Sequence, residues 1–73
     1  MNLRRNKRHK VCRLYDVIIR KGLSQEIVSK RTGYSQSHIS QIMNGKDLLL
    51  STAQDIAAAV DEKVDYLWPN YFH

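Results

Sequence analysis

Glycine punctuates the middle of this chain. Gly22, Gly33 and Gly45 each close a short stretch with helical periodicity. Glycine adopts the left-handed conformation that ends a helix without a Cβ penalty. The stretches between them therefore read as separate short helices packed on a common core, not as one long rod. Before Gly22, Val11, Leu14 and Ile18 fall at i, i+3 and i+7. Val17 widens that face, and Tyr15 and Ile19 make a second apolar stripe beside it. This predicts a first helix over residues 9–21. Ser24 is a natural N-cap for a second helix from Gln25 to Arg31, with Ile27 and Val28 as its apolar contacts. Ser35 can cap a third helix, 36–43, on which Ile39, Ile42 and Met43 share a face. Asn44-Gly45 ends it as a turn dipeptide.

Beyond Gly45, residues 46–50 (KDLLL) read as a loop. Ser51 and Gln54 match a capping box for a fourth helix carrying Ala53, Ile56, Ala57 and Val60. A fifth helix, about 63–68, carries Val64, Leu67 and Trp68, and Pro69 stops it. No useful strand-like alternation appears. The expected fold is all-α with five helices. Residues 1–8 form a flexible basic arm, 9–68 the domain and 69–73 a short aromatic tail.

Size and composition limit what such a domain does. Its 73 residues allow one small core and no large catalytic cleft. Cys12 is the single cysteine, so no internal disulfide forms, and it reads as a small packed residue. His9, His38 and His73 lack zinc-ligand spacing. Seven acidic residues and three histidines form no catalytic spacing, and no glycine loop cradles phosphate. The expectation is a non-enzyme without metal or cofactor. Arg13 and Asp16 interrupt the apolar residues after the basic start, so neither a signal peptide nor a membrane helix is expected. A soluble, cytosolic protein fits these features.

Charge is distributed unevenly. Residues 1–36 hold ten basic and two acidic side chains, and residues 37–73 hold two and five. A basic half beside an acidic one suits a polyanion bound on one side; the alternative is a solvated basic tail. Yet residues 33–45, GYSQSHISQIMNG, contain no formal charge and are crowded with amides and hydroxyls.

Two short helices joined by a glycine turn form a helix-turn-helix candidate. Val28, Ile39 and Ile42 would lock the pair to the core. Ser29 is small enough for a close crossing, and Gly33 makes the turn. Gln36, Ser37, Ser40, Gln41 and Asn44 then point outward together. The run LSQEIVSKRTGYSQSHISQIMNG resembles the DNA-binding domain of phage repressors of the lambda repressor, Cro and XRE type. The matching elements are Leu23-Ser24-Gln25, Val28-Ser29, Gly33, Tyr34 and the polar stretch Ser35 to Gly45; IAAAV and VDYLW resemble the family's fourth and fifth helices. The likeness covers about residues 10–68. This sequence departs from the family where Ser29 replaces a usual Ala, Thr32 an apolar residue, Asp61 a common Gly, and Lys63 a capping Ser or Thr. Ile18 and Ile19 stand where the family is often charged, which implies that the aromatic tail or a second subunit covers them.

The resemblance implies a transcriptional regulator, of repressor type, that binds a palindromic operator as a dimer through the major groove. Gln36 is the first choice for reading a base, since glutamine can pair with adenine N6 and N7; Ser37, Ser40 and Gln41 follow. Gln25, Ser35, Asn44 and Lys46 would contact the DNA backbone. In the family, the glutamine at the start of helix two bonds a phosphate and braces the first reading glutamine, a role that falls here to Gln25. Arg4, Arg5, Lys7, Arg8 and Lys10 would lie along phosphates or in the minor groove, with a disordered, generally attractive arm as the alternative. The partner is double-stranded DNA. A weak homodimer is expected; Trp68, Tyr71 and Phe72 read as core or dimer packing in preference to base stacking, and with Ile19 they could meet a protein partner. Two other readings remain: an antitoxin that binds both its operator and a toxin protein, and a general nucleic-acid chaperone driven by the arm.

Overall fold

The computed structural model describes residues 12–72. Five helices run in order: α1 (Leu14–Arg20), α2 (Gln25–Thr32), α3 (Gln36–Met43), α4 (Leu50–Val60) and α5 (Val64–Leu67). Among the described residues there is no strand, so the all-α, five-helix expectation holds. The α2–α3 pair packs together, α2 also packs on α4, and α4 on α5.

The apolar periodicity becomes the core. Leu14, Val17, Ile18, Val28, Ile39, Ile42, Ala53, Ile56, Ala57, Val60, Leu67 and Trp68 are all buried. Ile27, Met43 and Val64 are half-buried. The second stripe of α1 stays outside: Tyr15 is 63% and Ile19 61% exposed. Ile18 is only 4% exposed, so it needs no second subunit to cover it. Trp68, assigned above to a protein contact, is fully buried and unavailable for one. Its Nε1 has no hydrogen-bond partner among the described residues. Burial of the large ring therefore outweighs an unmet donor.

Three boundaries differ from expectation. Cys12 and Arg13 are not helical, and α1 starts at Leu14, not at residue 9. The Arg13 amide instead donates to the Leu67 carbonyl at 2.9 Å, which ties the start of α1 to α5. Helix α4 starts at Leu50 with Leu49 as its N-cap, so the expected Ser51–Gln54 capping box does not form. The apolar run continues the helix upstream of Ser51 and leaves that end without a side-chain cap. Helix α5 is shorter than expected, with Lys63 as an uncapped N-cap and Trp68 already outside it.

The glycine stops hold. Gly33 (φ 83°) closes α2, and its amide donates to the Ser29 carbonyl. Gly45 (φ 101°) follows α3, with the Lys46 amide returning to the Gln41 carbonyl at 3.0 Å. Ser24 and Ser35 cap α2 and α3 through the amides of Ile27 and His38, at 3.1 and 3.0 Å.

Candidate nucleic-acid interface

Side-chain hydrogen bonds from the end of α2 support the α2–α3 turn. The Ser29 hydroxyl donates to the Tyr34 carbonyl. The Thr32 hydroxyl donates to the Val28 carbonyl at 2.9 Å and accepts from the Tyr34 amide at 3.1 Å. The two departures from the family pattern at Ser29 and Thr32 thus become backbone supports. Sequence reading saw only the small size of Ser29. Tyr34 then leaves the turn, stacks on His38 with ring centroids 5.3 Å apart, and donates to Asp55 Oδ2 of α4 at 2.6 Å. The Asp55 carboxylate raises the Tyr34 phenol above its ordinary pKa; Thr52 acts in the opposite sense, and burial adds to the rise. A tyrosine four residues before a histidine was the one available signal for that stack.

Helix α3 presents a polar face over a buried one. Ile39 and Ile42 are buried, while Ser35, Gln36, Ser37, Gln41 and Asn44 are exposed and Ser40 is half-buried. Positions 36, 37, 40, 41 and 44 fall on one side of a 3.6-residue helix. Gln25, half-buried, opens α2. Lys46 is exposed, and its Nζ donates to Gln41 Oε1 at 3.0 Å. The backbone candidate thereby touches a base-reading candidate.

Basic side chains nearby serve the fold. Lys21 Nζ donates to the carbonyls of Val60 and Asp61 at 2.9 and 3.0 Å and pairs with Glu62 at 3.2 Å. Arg31 donates to the Ala59 carbonyl at 2.8 Å. Both cations thus satisfy carbonyls at the negative end of α4. Arg13 bonds the Tyr66 carbonyl and lies over its ring, Arg20 pairs with Asp16, and Lys30 with Glu26. The basic side chains Arg13, Arg20, Lys21, Lys30 and Arg31 therefore support the fold as well as carrying charge. Arg4, Arg5, Lys7, Arg8 and Lys10 lie outside the described residues.

No group of His, Cys, Asp or Glu capable of holding a metal occurs among the described residues. No described helix is long and apolar enough to cross a membrane. An open cleft between α2 and α4, lined by Arg31, Thr32, Asp55, Ala58 and Ala59, lies beside the helix pair.

Neither the curated proteins nor the solved structures include a match to this chain. The helix-turn-helix family model matches residues 14–67, spanning all five helices. With α2, the glycine turn and the polar-faced α3 in register, the chain belongs to the Cro/C1-type helix-turn-helix family of DNA-binding regulators.

Proposed function

We propose that this protein is a repressor that binds a palindromic operator as a dimer, with α3 reading the major groove. The observation that carries this reading is the uncharged face of α3, held by a hydrogen-bonded turn on a fully packed core. A lysine or arginine there would bind any nearby phosphate, whereas amides and hydroxyls discriminate by donor and acceptor pattern. Gln36, Ser37, Ser40 and Gln41 read base edges in this scheme. Gln25, Ser35, Asn44 and Lys46 contact phosphates in this scheme, and the amides opening α2 and α3 favour anions beside Gln25 and Ser35. The arm residues add salt-sensitive affinity. One such module contacts few bases, which is why two-fold pairing is needed. Tyr15, Ile19 and Leu49 (73% exposed) supply exposed apolar surface for a weak dimer. The protein acts at the nucleoid, in the cytoplasm.

The test is selection from a random-sequence duplex pool, followed by binding titrations at several salt concentrations. An inverted repeat should emerge. Gln36→Ala should cost about 1–3 kcal/mol of discrimination at one base pair of each half-site, with random-duplex affinity nearly unchanged. Selection that yields no symmetric sequence, or a Gln36→Ala variant with unchanged preference, would refute the proposal.

A further inference from the structure

The C-terminal tail folds back toward the segment that follows the reading helix. Pro69 and Asn70 form the middle of a turn in which the Tyr71 amide donates to the Trp68 carbonyl at 3.3 Å. Asn70 has a φ of 62°, which asparagine tolerates better than most residues. The turn brings Tyr71 and Phe72 back onto the core, edge to face with centroids 4.7 Å apart. From there the Tyr71 hydroxyl donates to Asp47 Oδ1 at 2.6 Å. The Tyr71 phenol is raised above its ordinary pKa, first by this carboxylate and then by burial, while the Leu48 backbone pulls it down. The phenol oxygen therefore meets the residue next to Lys46.

Asp47 adjoins Lys46, which is joined to Gln41 through both its amide and its Nζ, each at 3.0 Å. A shift of the loop would move Lys46 and the Gln41 side chain together. At the other end of α3, Tyr34 is fastened to Asp55 in the same chemical manner. We infer that Tyr71 and Asp47 are positioning residues for DNA contact: the tail straps the 46–49 loop and so holds Lys46 and the C-terminal end of α3 against the phosphate backbone of a duplex. The inference rests on the assignment of α3 as the reading helix. A free loop would have to be ordered on binding, and the strap meets that entropic cost in advance.

The experiment is a double-mutant cycle with Tyr71→Phe, which keeps the ring and removes only the hydroxyl, and Lys46→Ala. Binding is measured by fluorescence anisotropy on the selected duplex and on random duplex, across a salt series. Tyr71→Phe should weaken selected-duplex binding about fivefold. Lys46→Ala alone should lower the salt slope by about one. In the Tyr71→Phe background, Lys46→Ala should cost less than half as much as in the wild type. If Tyr71→Phe does not fold, Asp47→Ala removes the same bond from an exposed loop position, and the same fall in the cost of Lys46→Ala is expected. Equal binding by wild type and Tyr71→Phe, or an equal cost of Lys46→Ala in both backgrounds, overturns the strap alone. A wild type without preference for the selected over the random duplex overturns the reading-helix assignment and the strap with it.

Discussion

Thr32 does the work of two residues in the α2–α3 turn. Its hydroxyl meets a carbonyl of α2 on one side and the amide of Tyr34 on the other. Family resemblance favours an apolar residue at this position, which makes Thr32→Val a sharp test. The swap conserves shape but leaves a half-buried Tyr34 amide without its acceptor. It should destabilise the fold by about 1–2 kcal/mol in urea denaturation. An unchanged midpoint would mean that the hydroxyl contributes nothing to the turn. At this scale the sequence exposed which residues were unusual but hid what they do. The bonds that Ser29 and Thr32 make to Tyr34 involve backbone atoms whose positions depend on the bend at Gly33.

Helix termini tell a similar story at the scale of elements. Helix α4 has good interior sequence but a poor start, because Leu49 occupies the N-cap at φ −75° and ψ 155° and offers no acceptor. The backbone there already suits a capping residue, and Leu49 is 73% exposed, so little packing is lost by replacing it. Leu49→Ser should stabilise the protein by about 0.5–1 kcal/mol, read as a rise in Tm. A fall in Tm would show that Leu49 is engaged with a partner, such as a second copy in a dimer. The α4 terminus at the other end is well served. Asp61 adopts φ 57°, and Lys21 reaches the Val60 and Asp61 carbonyls from just beyond α1. Glycine stops and the serine caps of α2 and α3 were legible because each acts within a few residues. The Ser51–Gln54 pattern misled because it is equally local, while Leu50 extends the helix one residue upstream and Leu49 takes the N-cap.

For the molecule as a whole, two tyrosine–aspartate bonds give stability a defined alkaline dependence. Both phenols are raised when folded, through Asp55 for Tyr34 and Asp47 for Tyr71. The folded state thus holds these protons more tightly than the unfolded chain. The resulting stabilisation is complete below pH about 10 and is lost as pH rises through the folded values. The stability gap between wild type and a Tyr34→Phe/Tyr71→Phe variant should be full at pH 7 and close above pH about 10, as read by urea midpoints. A gap that does not narrow at all as pH rises above about 10 would show that these bonds do not depend on the neutral phenols.

The sequence by itself determined the helical class, the apolar faces that form the core, the glycine-closed turn and the uncharged polar face of α3. All of these depend on spacing within a few residues, where helix geometry permits only one arrangement. Tertiary structure alone decided which charges are spent internally. Lys21 and Arg31 count as positive residues in the sequence, yet they finish α4 because its last carbonyls lie within reach. Tertiary structure also decided that Trp68 belongs to the core and that Tyr71 returns to Asp47, 24 residues away in sequence. Contacts over that distance depend on how whole helices pack, which no local pattern encodes.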